Sequence, residues 1–424
     1  MSRSAYESQY LAILKEELVP ALGCTEPISV AFAAAKCREL LEDLPEKVVL
    51  TCNGGLIKNI RCVVVPNTGN LVGIEASALA GIVGGDSSLG LEVLSTLSET
   101  DIPKVKELLA LDICEVRVLD TPLALHFTVM CQKGDKSVEV EIKNLHTNIA
   151  SIKINNEVIY QAQEDVDKYL GVMTDRKILK IDRIVEFADS TPVHFLKEVF
   201  QKQMDNNFKI ALDGIENDYG VSIGKAILAH DSSLYGKIKA YTAAASEARM
   251  CGSVLPVITN SGSGNQGIAS SVPIVLYCRE KDYSEEKMYR ALAVANLLTI
   301  YQKSFIGRLS AFCGAVSAAC SAGAAITYLE GGDLDQIKMT ITNALANVSG
   351  IVCDGAKDSC SSKIATGLEA AFIGHFLAMR RQSFNPFSGV LRNDADATIS
   401  AVGRIATDGM KDTDKVILKI MLEK

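Results

Sequence analysis

Three cysteines in the second half of the chain are candidate metal ligands. Cys353 and Cys360 flank a polar, glycine-containing stretch, and Cys313 lies upstream beside a glycine. Thiolates bind soft metals and iron–sulfur clusters, whereas a cysteine on an apolar helix face packs as a small hydrophobe, as we predict for Cys320 among its alanine neighbours. None of the three belongs to a compact zinc motif in which two residues separate paired cysteines. Their spacing alone therefore leaves metal binding and packing both open.

Cys24 is a candidate base, nucleophile or ligand because of its position. It follows Gly23 and precedes Thr25-Glu26-Pro27, which opens a predicted helix. The unpaired N–H groups and the dipole at a helix start lower the pKa of a thiol. We therefore expect Cys24 to form a thiolate readily. A packing role as a small residue at the helix start is the alternative.

A glycine-rich turn occupies residues 259–267, after a strand-like segment at 254–258. Its three glycines match a dinucleotide-binding pattern, but that fold also needs a second strand ending in an acidic residue about 20 residues further on. Residues 283–301 predict a helix instead. A glycine-rich turn before a helix exposes N–H groups that suit a carboxylate or a phosphate. An anion site is thus favoured here, with a plain interhelical turn as the alternative.

The elements that must position these residues fall into a mixed first half and a helical second half. Apolar periodicity predicts N-terminal helices over 8–18 and 27–41, and then a mixed module. Its predicted strands are 48–52, 61–65, 114–119, 125–131, 137–142 and 149–154, with helices at 74–83 and 103–111. The predicted helices of the second half are 192–215, 221–250, 266–280, 286–302, 308–329, 333–349 and 361–381.

These elements predict an α+β fold. We expect a mixed α+β module inserted after two N-terminal helices, followed by a large all-helical C-terminal domain. The predicted boundaries are 1–45 for the helices, 46–190 for the α+β domain and 191–424 for the helical domain. The two N-terminal helices resemble the second half in composition, so we expect both to pack on the helical domain.

Composition narrows the cellular setting. The 424 residues include 43 Lys and Arg against 51 Asp and Glu, and the net charge of −8 argues against binding to nucleic acid or acidic membranes. The N-terminal residues lack the apolar run of a signal peptide, which predicts a reducing, cytoplasmic location for the 12 cysteines. Residues 309–329 carry no charge, but their alanine, glycine, serine and cysteine content predicts a buried helix and no membrane span.

Taken together, five motifs resemble those of the L-cysteine desulfidases in the iron–sulfur L-serine dehydratase-like (alpha chain) family. They are Gly23-Cys24-Thr25-Glu26-Pro27, Asn53-Gly54-Gly55, Ser261-Gly262-Ser263-Gly264-Asn265-Gln266-Gly267, Cys313-Gly314 and Cys353-Asp354-Gly355-Ala356-Lys357-Asp358-Ser359-Cys360. The resemblance covers nearly the whole chain. It implies one oxygen-sensitive 4Fe–4S cluster per subunit, held by Cys313, Cys353 and Cys360, with the fourth iron open to substrate. An open coordination position is what separates catalytic from structural metal sites.

The resemblance also implies a β-elimination on a small amino acid. A base removes the Cα proton of L-cysteine, sulfide leaves from Cβ, and the aminoacrylate is hydrolysed to pyruvate and ammonia. Cys24 is implied at the open iron, as the base or as a resting ligand. Glu26 is expected to meet the substrate ammonium, and Lys303 and Lys363 are candidate auxiliary groups. The residues expected to bind the carboxylate are Asn260, Ser261, Gly262, Ser263, Gly264 and Asn265.

Related functions stay open. Iron–sulfur serine dehydratases commonly have a cysteine in a C-terminal tail, whereas residues 419–424 contain none, and the early Gly-Cys-Thr-Glu-Pro motif favours the desulfidase branch. An L-serine dehydratase with the same cluster chemistry is the first alternative, and a non-catalytic cluster- or anion-binding protein is the second. A homo-oligomer is compatible with all of these. A pyridoxal phosphate lyase would need a Schiff-base lysine and a phosphate cup, for which the helical half gives no clear signal.

Overall fold

The computed structural model of the protein describes residues 6–121, 123, 125–162, 174–307 and 310–423. Within them, a six-stranded sheet with its covering helices forms one part, and a larger helical body forms the other. The predicted α+β fold class is confirmed. No described helix is both long and apolar enough to span a bilayer.

Helix α1 (Glu7–Glu17) belongs to the helical body, as predicted. Its apolar face, with Tyr10 and Leu14, is fully buried in the main helical core. Strand β1 (Pro20–Leu22) then pairs antiparallel with β8 (Pro256–Ile258), which leads into the glycine-rich turn. This short ladder holds the segment before Cys24 beside that turn.

Helix α2 (Thr25–Leu41) packs elsewhere than we predicted. Its apolar and small residues surround the helix, so it is buried from several sides, against the sheet and against α4 (Ile74–Gly84). The two helices approach closely because Gly81 has no side chain. A Cβ at this position would lie only 2.1 Å from the Ala31 carbonyl oxygen. Composition suggested the helical body as its partner, but alanine-rich helices pack closely on any complementary surface.

The sheet has the strand order β3-β2-β4-β5-β6-β7. Only β2 and β3 run parallel among these neighbours, and the other pairs are antiparallel. One face is covered by α2, which buries alternate residues such as Phe127 and Val129. The strands are β2 (Lys47–Asn53), β3 (Cys114–Leu119), β4 (His126–Lys133), β5 (Lys136–Lys143), β6 (Ile149–Ile154) and β7 (Glu157–Gln161).

Our prediction of a strand at 61–65 is wrong. The chain leaves the sheet at Asn53 and forms helix α3 (Gly54–Ile60), so the apolar run that follows has no neighbouring strand to pair with. It forms a turn held by one isolated bridge between Val64 and Val72. The sequence pattern also gave no signal for β7, which is exposed along its length.

Every segment predicted as helical in the second half contains a helix, but the helical body begins before the predicted boundary at 191, because the helix Ile181–Ser190 is buried in its core. The predicted helix at 221–250 is broken near Ser233, whose side chain accepts the Gly236 N–H and caps the second piece. Residues 308–309 of another predicted helix lie outside the described residues, and that helix begins at Gly314. Helix α5 (Ile102–Ala110) lies in the sheet part. The remaining helices of the helical body are α6 (Ile181–Ser190), α7 (Val193–Glu216), α8 (Ile223–His230), α9 (Leu234–Met250), α10 (Gly264–Glu280), α11 (Glu285–Ile306), α12 (Gly314–Leu329), α13 (Leu334–Val348), α14 (Cys360–Met379) and α15 (Ala395–Arg404). The last helix, α16 (Lys411–Leu422), packs on α3, and its Leu418 contacts the core of the sheet part.

Candidate active site

A single cavity of about 100 Å³ brings together four cysteines from separate parts of the sequence. Cys24, Cys313, Cys353 and Cys360 all line it, and all four are free thiols. The cavity lies where the start of α2, the glycine-rich turn and the cysteine loops of the helical body meet. The three candidate ligands and the candidate base therefore share one site.

Backbone pairing holds the candidate ligands in place. The Cys313 N–H donates to the Ile351 carbonyl at 3.1 Å, and the Cys353 N–H donates to the Ala311 carbonyl at 2.6 Å. Cys360 is the first residue of α14, and its N–H donates to the Lys357 carbonyl at 3.0 Å. The three cysteines thus lie at a helix start or in a short paired loop, where backbone hydrogen bonds fix their positions.

The thiols around the cavity influence one another electrostatically. The pKa of Cys313 is raised to about 12. Burial is the main cause, and the neighbouring Cys353 and Cys360 thiols add to the increase. Burial also raises the pKa of Cys360. Thiols of this kind stay protonated until a metal displaces the proton, so metal binding at this site would release protons.

The cysteine loop carries its own positive charges. Lys357 and Lys363 both pair with the Asp354 carboxylate, one residue from Cys353. Burial raises the pKa of Asp354, but the hydrogen bonds and charges of the two ammonium groups outweigh it and hold the value at about 2. Lys363 also donates to the Val352 carbonyl at 2.9 Å, so it braces the loop and does not line the cavity.

The donor set consists of soft thiol ligands. Among the described residues, no group of three or more His, Cys, Asp or Glu side chains is arranged to hold a metal ion. In an iron–sulfur cluster each thiolate binds a different iron, so its ligands stand further apart than those of one ion. Three free thiols line this one cavity, and thiolates are the usual ligands of such a cluster.

Cys24 forms a hydrogen-bonded pair with Glu26. The Cys24 thiol donates to Glu26 Oε2 at 3.1 Å, and Thr25 Oγ1 donates to the same oxygen at 3.0 Å. Asn59 Nδ2 donates to the other carboxylate oxygen at 3.0 Å. Burial raises the pKa of Glu26, but the charge of His146 and these hydrogen bonds lower it more strongly. The carboxylate therefore stays ionised inside the site.

Our expectation that the helix start lowers the pKa of Cys24 is wrong. Cys24 does precede the first turn of α2, but its side chain is buried and hydrogen-bonded to a carboxylate. Burial raises the pKa of the thiol well above its usual value, and the negative charge of Glu26 adds to the increase. These influences outweigh the charge of Arg249, which lowers the pKa, and they favour the protonated thiol, whose hydrogen bond Glu26 accepts.

The glycine-rich turn is tight and ends at a helix N-terminus. Ser261 and Gly262 have positive φ angles of 51° and 78°, and Ser263 precedes the first residue of α10. The first N–H groups of a helix have no partner within it and attract anions. Thr25 Oγ1 donates to the Gly262 carbonyl at 2.9 Å, which ties the turn to the start of α2. The predicted residues on the cavity wall are Glu26, Ser261, Gly262, Ser263 and Asn265, whereas Gly264 does not line the cavity.

Asn260 is not on the cavity wall. It is fully buried, and its Nδ2 donates to Asn296 Oδ1 at 2.9 Å while its Oδ1 accepts from Ser261 Oγ at 2.9 Å. Asn296 in turn exchanges amide hydrogen bonds with Gln203. Asn260 therefore anchors the turn from behind, and the structure does not bring it to the position of a direct substrate contact.

Several residues of the site carried no recognised motif. Arg249, Asn59 and His146 line the cavity, and so do Gln266, which belongs to the glycine-rich motif but was given no role, and Lys303, which we named only as an auxiliary candidate. The one signal available in the sequence was Arg249 itself, a charged residue near the end of an alanine-rich run. The other contacts depend on how distant segments fold together, which local patterns do not encode.

Comparison with known proteins gives the family. The chain matches the serine dehydratase alpha chain family model over residues 90–419. It is 44% identical to a UPF0597 protein of Treponema denticola, covering 100% of this chain and 99% of the relative. It is 46% identical to a UPF0597 protein of Lachnoclostridium phytofermentans, covering 97% and 98%. The chain therefore belongs to the serine dehydratase alpha chain family.

Proposed function

We propose that this protein is an iron–sulfur-dependent lyase that eliminates sulfide from L-cysteine and yields hydrogen sulfide, pyruvate and ammonia. Membership of the serine dehydratase alpha chain family supports a lyase. The observation that carries the proposal is the cavity itself, where three free thiols meet Cys24 and an anion-binding turn. This combination provides ligands, an acid–base group and a substrate anchor within one small volume.

Cys313, Cys353 and Cys360 would hold a 4Fe–4S cluster. When bound, such a cluster supplies a Lewis-acidic iron with an open position for the leaving group. Thiolate ligands are soft and suit iron–sulfur chemistry. The lysines paired with Asp354 lie beside two of the ligands, and their positive charge offsets the negative charge of thiolates.

The amino acid would be bound through its two charged groups. The first N–H groups of α10, beside Ser263 and Asn265, favour its carboxylate. The ionised Glu26 carboxylate favours its ammonium group. Because these two anchors lie on one cavity wall, they restrict how the substrate Cα can be oriented.

Cys24 would be the acid–base residue, with Glu26 as its hydrogen-bond partner. Glu26 Oε2 accepts the hydrogen bond of the Cys24 thiol at 3.1 Å and orients the sulfur, and once the thiol has lost its proton to water, the thiolate removes the substrate Cα proton. The electron pair of the Cα–H bond forms the Cα–Cβ double bond, and the Cβ–S bond breaks with release of sulfide. The resulting aminoacrylate tautomerises, and water converts the imine to pyruvate and ammonia. A group with a raised pKa is a strong base once deprotonated.

L-serine dehydration is the second candidate function, because the family that matches is named for a serine dehydratase. The same residues would act, with hydroxide leaving in place of sulfide. A parallel assay separates the two: anaerobically reconstituted protein is given L-cysteine or L-serine, and sulfide and pyruvate are quantified. We expect equal amounts of both products from L-cysteine. Pyruvate from L-serine alone would replace the desulfidase proposal, and a bound cluster without turnover of either amino acid would contradict both.

A further inference from the structure

Arg249 is a buried cation that forms no salt bridge among the described residues, although the ionised Glu26 lines the same cavity. It lies in the last turn of α9 and is 2% exposed. Its Nη1 donates to the neutral Asn265 Oδ1 at 3.1 Å, whereas its buried Nε–H meets no acceptor among the residues that the structure describes. A buried guanidinium without a carboxylate or full hydrogen bonding is costly, so its retention calls for an explanation.

The guanidinium lies directly over the start of α10. A Cβ on Gly264 would lie 2.3 Å from Arg249 Nε and 2.5 Å from its Cζ, so only glycine leaves room for the group. Gly264 is the first residue of α10, where the helix dipole is positive. Two positive features, the guanidinium and the helix start, are thus pressed together on the wall of the cavity.

A bound anion would compensate the positive charge of both the guanidinium and the helix start. Arginine binds carboxylates through paired N–H groups, and a helix N-terminus adds backbone donors. Without a negative group between them, the guanidinium and the positive start of α10 repel each other. The small volume of the cavity, about 100 Å³, limits that group to a small anion or to part of a small molecule.

We propose that Arg249 binds the α-carboxylate of the substrate together with the start of α10, and that it makes the site selective for free amino acids over their amides and esters. This inference rests on the proposed function for the identity of the substrate. Arg249 is then a specificity-determining residue, while Glu26 and Cys24 serve the ammonium group and the proton transfer.

The test uses L-alanine, which has both charged groups but no leaving group, and L-alaninamide, which lacks the carboxylate. Binding to the full-length protein is measured by calorimetry. We expect L-alanine to bind and L-alaninamide to bind about 100-fold more weakly. Arg249→Gln should lower the affinity for L-alanine by about the same factor and leave that for L-alaninamide unchanged. Arg404→Gln, the same change at an arginine that is 81% exposed, should alter neither.

A second variant keeps the test decisive if Arg249→Gln folds poorly. Asn265→Asp is nearly isosteric and places a carboxylate against the guanidinium and in the first turn of α10. It should raise the melting temperature, because it supplies the missing anion, and it should weaken L-alanine binding by competing for the same donors. A lower melting temperature with unchanged L-alanine affinity would overturn the proposal.

The outcomes separate this inference from the proposed function. Loss of L-alanine binding in Arg249→Gln supports the carboxylate site even if the protein turns over neither L-cysteine nor L-serine. Unchanged L-alanine affinity and an unchanged KM for L-cysteine in Arg249→Gln would refute the site while leaving the elimination reaction intact.

Discussion

The cysteines of the sheet module and those of the cavity differ in what surrounds them. Cys37 and Cys131 are fully buried among apolar side chains, and the Cys37 thiol donates to a strand carbonyl at 3.1 Å. Cys353 and Cys360 belong to a glycine-containing loop with paired lysines, and Cys313 precedes a helix. Cysteine type alone therefore carries no functional information. Its position at a helix start or in a polar loop, facing a shared cavity, is what indicates chemistry.

The largest effect should come from removing a cavity thiol. Cys313→Ser or Cys353→Ser should abolish iron retention after anaerobic reconstitution and lower elimination from L-cysteine by more than about 100-fold, because losing even a hydrogen-bond partner of a metal ligand typically costs about 10–100-fold and losing the ligand itself costs more. Iron content and sulfide release measure the outcome. Cys320→Ser is the matched control, since it makes the same change on helix α12 in the fully buried core. Equal iron loss in both variants would mean that iron retention does not distinguish the cavity cysteines from cysteines that only pack in a core.

The next largest effect separates acid–base chemistry from cluster binding. Cys24→Ala should keep its iron but lose about 100-fold or more in turnover, because a positioned acid–base group contributes on that order. Absorbance spectra of the reconstituted protein and steady-state rates check the two parts. Cys62→Ala, at an exposed cysteine, should change neither. Wild-type turnover in Cys24→Ala would remove Cys24 from the mechanism.

A smaller effect should come from the brace behind the cysteine loop. Lys58 is buried, donates to the Cys353 carbonyl at 3.1 Å and pairs with Asp414 of α16. Lys58→Met should make iron loss to a chelator about 10-fold faster, since a hydrogen bond from a charged group is lost. Lys415→Met, at a lysine that is 80% exposed, is the control. Identical chelation rates in the two variants would show that this contact does not support the loop.

The smallest effect should come from the packing cysteines. Cys131→Ala should lower the free energy of unfolding by about 1–2 kcal/mol, because it leaves a small cavity between α2 and the sheet. Denaturant unfolding measures the change. Iron content and turnover should stay at the wild-type level, and a loss of either would mean that the sheet module takes part in the site beyond its structural role.

The sequence predicted the site better where the chemistry is local. The cysteine motifs, Glu26 and the glycine-rich turn all reach one cavity, and the bounds of the strands at 114–119 and 149–154 match the structure. These features depend on short patterns of charge, glycine and alternating apolar residues.

Features that depend on tertiary contact were harder to predict. Residues 61–65 have the composition of a strand but no partner to pair with. The pKa of Cys24 is set by burial and by Glu26 more than by the helix start. Asn260 belongs to the turn, yet its hydrogen bonds to Asn296 place it behind the cavity wall. In each case, packing between distant segments decides the outcome.

The most direct test measures iron and turnover on the same anaerobically reconstituted sample, with Cys313→Ser alongside. The expected result is a brown protein with about four irons per chain, as a 4Fe–4S cluster requires. It should release sulfide and pyruvate from L-cysteine, and the variant should lack both the iron and the activity. A colourless, iron-free protein that still eliminates sulfide, or an iron-loaded Cys313→Ser variant, would contradict a cluster held by the cavity cysteines.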